Sequence, residues 1–474
     1  MDEKRSFHAH PMLQVLLISL VCLACPGMFN ALSGVGGGGQ LDPTTAANGN
    51  VALYSTFAVV GFFAGSIVNM VGYRLAFAVG ASGYALYMGS LLSFNRNGNS
   101  GFVIAAGALL GCCAGLLWTA QGALTLAYAT ERTKGRAFAL FWAVFNLGGV
   151  LGSAIELGLT YKNDTGTVGD SVYIVFLSIG AAACLLPLLL ANPASVVRVD
   201  GTKVVVPVHP SWKEELIGMY QLFRRDYWIL LLLPFFAASN VGSLFFAALS
   251  SLSLTSQITQ WFNTYEQNSF NGALFTLRTR SLNSLLFWLA QIVAAGLFGL
   301  AIDLKQFRRT TRAWAGLAFL LAVNMAVWGA AYHYQKGYYR TPTGASIPRI
   351  DFKDPGYGGR CALFVFMGVL DAVLQNYIYW LMGSMYSSAG ELARIVGIYK
   401  GIQSAAAAGA WRMDSVGTSY MTELGSTWGL CVAAIVCAAP VVAFRIKDHT
   451  DELVTPVSDS ASMSSAEAKK AEEA

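Results

Sequence analysis

Polar and ionisable side chains lie inside several long apolar segments of this chain, where an unpaired polar group is energetically costly. The candidates are Gln121, Asn146, Asp371, Gln375, Lys400 and Gln403. Because a polar residue in a membrane span usually faces a cavity or another polar group, the sequence predicts that this set lines a pathway for a substrate or an ion.

Asp371 and Lys400 are the ionisable members of this set, and they lie on consecutive apolar segments. At a rise of about 1.5 Å per residue, both are expected near the middle of the membrane, within reach of each other across two antiparallel helices. Two interpretations remain open. Asp371 is either a carboxylate that couples transport to a proton or ion, with Lys400 as its cationic partner, or one side of a structural ion pair that keeps the helices in register.

Other kinds of chemistry find little support in the sequence. Glu131 and Glu156 lie near predicted helix ends, where we expect a loop anchor and a solvated carboxylate. Nearly all of the eight cysteines fall in apolar segments, which argues against a disulfide framework or a zinc site. We find no Ser-His-Asp arrangement, catalytic carboxylate pair or metal-ligand spacing, so we expect no enzyme activity, no cofactor and no metal.

Long apolar helices are the elements that must position these residues. Of the 474 residues, 55% are hydrophobic and 12% are charged, with a mean hydropathy of +0.51. Soluble domains carry about 25% charged residues, and an apolar run of about 20 residues is long enough to cross a bilayer. The runs predict twelve spans, near 12–33, 51–71, 75–94, 101–130, 137–160, 171–191, 227–254, 279–302, 313–332, 361–386, 392–412 and 424–444.

A short loop pattern occurs twice, each time after the second span of one half of the chain. In both copies a glycine is followed four residues later by Asn or Asp, and then by cationic residues. The glycine would let two helices approach closely, and the amide or carboxylate would cap a helix or pair with the cations. We interpret the two copies as gating loops; they contain Gly65, Asn69 and Arg74, and Gly299, Asp303, Arg308 and Arg309.

The repeated loop divides the chain into two equivalent halves, an organisation found in many secondary transporters. The predicted fold is an all-α integral membrane protein with twelve transmembrane helices in two pseudo-repeated six-helix halves. A polar stretch with several prolines links the halves, and a Ser- and Glu/Ala-rich end is predicted to be a disordered cytoplasmic tail. The boundaries are 1–191, 192–226 for the linker, 227–445, and 446–474 for the tail.

Lysine and arginine are distributed unevenly over the connections between spans. If both termini are cytoplasmic, 20 of the 31 cationic residues lie on the cytoplasmic side and 10 on the other, as the positive-inside rule favours. We therefore attribute the net charge of +5 to membrane topology. The sequence contains no basic cluster with interleaved aromatic residues, so we do not expect nucleic-acid binding. Asn163 begins a glycosylation sequon on the predicted outer side. Plasma membrane and vacuolar or endosomal membranes are equally compatible.

Several strings together resemble the Unc-ninety-three-like branch of the major facilitator superfamily, in its fungal form. The resemblance runs from about residue 12 to residue 446. The strings are Leu117-Trp-Thr-Ala-Gln-Gly122, Phe141-Trp-Ala-Val-Phe-Asn-Leu-Gly-Gly149, Leu277-Arg-Thr-Arg-Ser-Leu-Asn283, Asp371-Ala-Val-Leu-Gln-Asn-Tyr-Ile-Tyr-Trp-Leu-Met-Gly383 and Tyr399-Lys-Gly-Ile-Gln-Ser404. The resemblance implies a twelve-helix transporter fold in a family whose members mostly lack a defined substrate.

Two functions follow as expectations. The first is secondary transport of a small solute or ion by alternating access, with the polar residues lining the path and Asp371 as the coupling group. The second is a non-transporting accessory or regulatory subunit, because some animal relatives look like ion-channel regulators or escorts for membrane receptors. In that case the polar residues would contact a membrane protein partner within the lipid bilayer, and the outer loop 333–360 would be a partner surface.

One stretch departs from the family pattern. Ser239-Asn240 is normally continuous with an aromatic string like the one that begins at Trp261, and here Val241 to Gln260 intervene. Valine codons begin with GT and one glutamine codon ends in AG, so the stretch is either a genuine insertion or a retained in-frame intron. Sequencing the transcript separates the two, since a message that uniformly contains these codons excludes the intron.

Overall fold

The computed structural model of the protein describes residues 9–39, 43–128, 134–162, 167–198, 201–202, 204, 212–238, 264–304, 306–341, 344–386 and 389–448. Some side chains within these ranges, including those of Asn69 and Lys400, are not described. Glu131, the sequon at Asn163, the stretch 241–260 and the predicted tail beyond residue 448 lie outside the described residues.

The described part of the chain is almost entirely helical. The helices are α1 (Pro11–Gly34), α2 (Pro43–Val71), α3 (Tyr73–Asn97), α4 (Ser100–Tyr128), α5 (Lys134–Thr160), α6 (Asp170–Ala183), α7 (Trp212–Arg225), α8 (Trp228–Ala238), α9 (Leu277–Ile302), α10 (Arg309–Gln335), α11 (Tyr357–Met385), α12 (Ala389–Ser415) and α13 (Tyr420–Phe444). Short 3-10 turns occur at Gly37–Gly39, Leu186–Leu189 and Pro193–Ser195, and a π-helical segment spans Thr264–Gly272. Strands β1 (Arg340–Thr341) and β2 (Gly344–Ala345) pair antiparallel, with Arg340 opposite Ala345.

Nine of the described helices are long and apolar enough to cross a membrane: α1, α3, α4, α5, α6, α9, α10, α11 and α13. The predicted spans 51–71 and 392–412 fall within α2 and α12, and the predicted span 227–254 begins with α8. The protein is therefore an all-α, multi-pass membrane protein. The count of twelve spans stays a prediction.

Local sequence explains several helix ends and irregularities. In α1, Pro26 lacks a backbone N–H, and residues Leu23–Gly27 form a π-helical turn around it. Gly72 separates α2 from α3 with φ of 82°, and Gly98 ends α3 with φ of 65°. A side chain is disfavoured at such angles, so glycine at these positions allows the chain to turn sharply between membrane helices.

The predicted linker contains an amphipathic helix, α7. Its last turn carries Arg224 and Arg225, while the apolar side chains of Ile217 and Tyr220 are exposed. A helix with one charged face and exposed apolar residues is typical of a position in the interface between water and lipid. α7 contacts both α2 and α12, so it lies beside a helix from each side of the linker.

The buried apolar residues form two separate clusters. One contains residues between Val15 and Val204 together with Leu277, and the other contains residues between Leu222 and Ile446 together with Val150. The helices that contribute them meet mainly where α2 packs on α12 and α5 packs on α9. We call the end of the bundle where α1 begins and α13 ends the terminal face, and the other end the distal face.

The first copy of the repeated loop lies at the terminal face. Arg74, the second residue of α3, donates from Nε to the carbonyl oxygen of Leu190 over 2.7 Å. The backbone N–H of Ala191 donates to Oε1 of Gln14 over 2.8 Å. The connection after α6 is thereby tied to the starts of α1 and α3.

The second copy of the loop joins corresponding elements at the same face. Asp303 ends α9 and is 4.0 Å from Nη1 of Arg312, while Arg308 precedes α10 and Arg309 begins it. The carboxylate of Asp448, beyond α13, accepts from the backbone N–H and hydroxyl of Thr310 over 3.0 and 2.8 Å. The start of α10 is thus tied to the end of α13.

One expectation about this loop is wrong. A Cβ atom added at Gly299 would meet no atom within 4 Å, so Gly299 does not allow a close helix approach. The reason is that this turn of α9 is exposed, with Leu297 and Leu300 both largely accessible.

Candidate functional site

Three of the predicted pathway residues hydrogen-bond within their own helices. Buried Gln121 donates to the hydroxyl of Thr125 over 3.2 Å, and buried Asn146 donates to the carbonyl of Trp142 over 2.9 Å. Gln403 donates to the hydroxyl of Tyr399 over 3.4 Å. These bonds satisfy amide groups inside the bundle and do not bring the three residues together.

Asp371 occupies a different environment, because amide groups from two helices hold its carboxylate. Nε2 of Gln291 on α9 donates to Oδ2 over 2.9 Å, and Nε2 of Gln375 one turn along α11 donates to Oδ1 over 3.1 Å. Amide donors stabilise a carboxylate without neutralising it. The predicted ion pair with Lys400 stays a prediction, because the lysine side chain lies outside the described residues.

A second carboxylate lies close to Asp371. Glu266 belongs to the π-helical segment, is fully buried, and has no hydrogen-bond partner for either oxygen among the described residues. Asp371 is close enough to repel it electrostatically. A fully buried acid and a half-buried acid therefore lie within electrostatic reach of each other.

The π-helical segment is anchored at the distal face by a group of residues that we call the distal network. Nη2 of Arg340 lies 2.7 Å from Oδ1 of Asp414 and 2.8 Å from Oε1 of Glu423. Nδ2 of Asn268 donates to Asp414 over 2.6 Å, and the hydroxyl of Ser269 donates to Glu423. The network joins β1, α12, α13 and the π-helical segment.

We expect Arg340→Met to destabilise the protein strongly. Only 2% of the Asp414 side chain and 3% of the Glu423 side chain are exposed, so the substitution would leave two buried carboxylates without their cation. Removing one partner of a buried pair costs about 3–5 kcal/mol. Thermal unfolding of the purified protein measures the effect.

Arg96→Met is the matched control for this substitution. Arg96 pairs with Asp170 over 2.7 Å, but the two side chains are 54% and 37% exposed. Exposed pairs contribute little to stability. Equal losses of stability in the two variants would contradict the structural importance of the distal network.

A polar contact, which we call the seam, joins α5 to α9 between the two apolar clusters. The hydroxyls of Ser153 and Ser284 are 2.9 Å apart, and those of Thr160 and Ser281 are 3.4 Å apart. All four side chains are buried. The seam contains Ser153, Glu156, Thr160, Arg280, Ser281 and Ser284.

Glu156 and Arg280 are the charged members of the seam. Glu156 is fully buried, and neither of its oxygens has a hydrogen-bond partner among the described residues. Arg280 is close enough to attract it electrostatically and donates from Nη1 to the carbonyl of Val35 over 3.2 Å. The attraction therefore crosses from α5 to α9.

Backbone contacts extend the seam to the end of α1. Nδ2 of Asn271 donates to the carbonyl of Gly34 over 2.8 Å, and a Cβ atom at Gly34 would lie 2.2 Å from Oγ of Ser284. A Cβ atom at Gly149 would lie 2.8 Å from the ring of Trp288. Only glycine at these two positions permits the present approach of α1 and α5 to α9.

The comparisons with known proteins identify the family. A family model described as ion channel regulatory protein UNC-93 matches residues 40–439. The chain belongs to the UNC-93 family. The resemblance inferred from the sequence strings is thereby confirmed.

Several relatives are similar over most of their length. A UNC93-like protein of Schizosaccharomyces pombe is 41% identical over 92% of this chain and 83% of its own. UNC93-like protein 1 of Arabidopsis thaliana is 37% identical over 95% and 94%. Notoamide biosynthesis cluster protein O' of Aspergillus versicolor is 27% identical over 94% and 91%.

Two acidic residues of this UNC-93 protein are buried where the sequence predicts otherwise. Glu156 was expected to be solvated near a helix end, and this is wrong, because α5 buries it against α9. The sequence also leaves Glu266 outside the seventh span, which was predicted to end at residue 254. Instead, residues 265–270 are buried.

Weak signals for both residues are present in the sequence of this UNC-93 protein. Glu156 is the only acid in the apolar run 137–160. Glu266 lies in a polar string, Thr264 to Gly272, directly before a long apolar run. Such a string is normally interpreted as a surface loop, and only its packing against α9, α11, α12 and α13 reveals that it is buried.

The connection between α10 and α11 of this UNC-93 protein is anchored by Asp351. Its Oδ2 accepts from Nε of Arg278 over 2.7 Å and from the hydroxyl of Thr276 over 2.9 Å. Although burial alone raises the pKa of Asp351, the hydrogen bonds from Arg278 and Thr276 outweigh burial and hold the pKa below its ordinary value. The loop is thus fastened to the start of α9.

Asp351 predicts a pH dependence of stability. Because its pKa is lowered in the folded protein, its stabilisation is present above the ordinary value of 3.8 and is lost as the pH falls through the folded value. We expect the melting temperature of the wild type to fall more steeply below about pH 4 than that of Asp351→Asn. As a control, Asp303→Asn removes a carboxylate that is 75% exposed, and its melting temperature should fall with pH as steeply as that of the wild type. An equally steep fall in the wild type and in Asp351→Asn would contradict the prediction.

Proposed function

We propose that this UNC-93 protein is a secondary transporter that moves a small solute or ion by alternating access. Two six-helix halves, residues 1–191 and 227–445, would rock against each other around a central path. The observation that carries the proposal is the polar seam, with its charged members Glu156 and Arg280 buried between two separate apolar clusters.

The chemistry of the seam supports reversible separation. Apolar surfaces that part in water lose favourable burial, whereas hydroxyls, a carboxylate and a guanidinium exchange their contacts for water at little net cost. Buried charged groups at an interface add little stability, so the presence of Glu156 and Arg280 there is better explained by a need to open than by a need to hold. Opening at the seam would expose the path to the distal face.

The proposed path is central, and its ionisable groups belong to the C-terminal half. Asp371, its two amide donors and Glu266 provide ionisable and polar groups at membrane depth, where such groups are expensive and usually functional. Gln121, Asn146 and Gln403 would contribute further polar groups, and Lys400 would be the cationic partner of Asp371. We assign the terminal face to the cytoplasm, because most lysines and arginines lie in its connections.

Hydrogen bonds at the terminal face form one contact in each half, and the two contacts are equivalent. In the N-terminal half the connection after α6 is bonded to Arg74, and in the C-terminal half Asp448 is bonded to Thr310. Each contact joins the third span of a half to the end of its sixth. We propose that these contacts latch the repeated loops when the cytoplasmic side is closed.

The second candidate function is regulation of an ion channel or receptor. The family description, ion channel regulatory protein UNC-93, favours it. In that case the anchored loop between α10 and α11 would offer a rigid surface to a partner. A co-purifying membrane protein, together with unchanged melting temperature across a panel of solutes, would favour this function over transport.

Transport by the purified protein in liposomes is the direct test. A panel of amino acids, sugars, organic acids and inorganic cations would be offered with and without an imposed pH gradient. Protein-dependent accumulation of one class supports transport and names the solute. Absence of flux from folded protein across the panel would overturn the proposal in favour of the accessory function.

A further inference from the structure

Glu266 is a buried acid that is absent from the set of pathway residues predicted from the sequence. The side chain is fully buried in the π-helical segment, and its two oxygens have no hydrogen-bond partner among the described residues. An ionised carboxylate in such a position lacks hydrogen-bond donors from the described residues, which makes its charge costly. A bound proton removes that charge.

The titratable groups around Glu266 strengthen this inference. Asp371 on α11, Cys431 on α13 and Tyr265 in the same segment interact with it electrostatically. None of the three is a cation, and Asp371 is itself a carboxylate that accepts two amide hydrogen bonds. Two carboxylates within electrostatic reach repel each other, so one of them is readily neutralised.

Glu266 and Asp371 have different surroundings, and the difference indicates which of the two acids carries the proton. Gln291 and Gln375 donate to the oxygens of Asp371 and favour its charged form. Glu266 receives no such donors from the described residues. We propose that Glu266 and Asp371 form a proton-binding site in which Glu266 carries the proton in this conformation.

The proposal rests on the proposed transport function and names its coupling ion. On loading, hydronium transfers a proton to a carboxylate oxygen of Glu266, an O–H bond forms and water remains. On release, that O–H bond breaks and water accepts the proton. No oxidant, reductant or metal takes part.

The distal network connects this site to the distal face. Asn268 and Ser269 follow Glu266 in the same π-helical segment and are bonded to Asp414 and Glu423. A nine-residue π-helix is rare, and π-helical turns frequently occur at functional sites. Movement of the network would therefore move the segment that carries Glu266.

Infrared spectroscopy of the full-length protein tests the proton directly. A protonated carboxyl group has a C=O stretch distinct from that of a carboxylate, and we expect this band in the wild type at neutral pH. Glu266→Gln should remove a component that Glu156→Gln retains. Absence of the band in the wild type, or an unchanged band in Glu266→Gln, would overturn the proposal.

Asp371→Asn provides a second spectroscopic variant if Glu266→Gln does not fold. It removes the neighbouring charge while leaving the acid at Glu266, so the band should persist and change frequency. A band that is insensitive to Asp371 would contradict a shared site. This spectroscopic result does not depend on knowing the solute, and it stands even if the wild type transports nothing.

A flux measurement then distinguishes failure of the proposed proton-binding site from failure of the proposed transport function. Glu266→Gln imitates the protonated acid, so we expect exchange of solute across the membrane to continue while accumulation driven by a pH gradient falls to the level of protein-free liposomes. Full accumulation by this variant would overturn Glu266 as the coupling site but leave transport intact. Loss of flux in the wild type would instead count against the proposed function.

Discussion

Asp371→Asn is expected to abolish accumulation of solute driven by a pH gradient, down to the level of protein-free liposomes. The substitution preserves size but removes the carboxylate to which Gln291 and Gln375 donate over 2.9 and 3.1 Å. An amide at this position cannot take up or release a proton, and its NH₂ group would face the NH₂ group of a glutamine. Flux in proteoliposomes with an imposed pH gradient measures the result.

The matched control is Asp170→Asn, the same chemical change at an exposed acid on the distal face. Asp170 pairs with Arg96 in an exposed position, far along the chain from the predicted path. We expect flux and membrane expression of this variant to resemble those of the wild type. Unchanged flux in Asp371→Asn, with normal expression, would remove Asp371 from the mechanism.

A disulfide across the seam is expected to stop transport reversibly. The hydroxyl oxygens of Ser153 and Ser284 are 2.9 Å apart, so cysteine sulfurs at these positions would face each other. A disulfide between them would hold α5 against α9, and the distal side could not open. We expect flux of the oxidised double variant Ser153→Cys/Ser284→Cys to fall to background and to return after reduction.

The single variants Ser153→Cys and Ser284→Cys control for the eight native cysteines. Neither should respond to the oxidant, because each lacks a partner sulfur across the seam. Cross-linked protein, verified by mass spectrometry, that transports at the wild-type rate would contradict opening at the seam. The same cross-link should leave an accessory function intact, so it also discriminates between the two candidate functions.

The sequence is most informative where a single segment decides the local structure. A long apolar run must satisfy its backbone polar groups internally, and in a bilayer that requirement leaves a helix as the available structure. Eleven of the predicted spans accordingly coincide with long helices such as α9 and α11, or with α6 and its 3-10 turn. The short family strings around Asp371 and Tyr399 also identified the UNC-93 family correctly.

The sequence does not predict the burial or the partners of a side chain whose surroundings depend on a distant segment. Glu156 is near a helix end, and only the packing of α9 on α5 removes it from solvent. Gln291 is absent from the predicted pathway residues, although it donates to Asp371 from another helix. Gly299 matched a close-packing motif, yet its turn of helix is exposed.

The sequence by itself therefore determined that this is a helical, multi-pass membrane protein of the UNC-93 family, because hydropathy and local motifs act within one segment. The tertiary structure alone placed Glu266 beside Asp371, Arg340 between Asp414 and Glu423, and Glu156 opposite Arg280. Each of these contacts joins residues that are more than 70 positions apart in the chain. The energy of a buried charge depends on such neighbours, and hydropathy along the chain carries no information about which helices become neighbours.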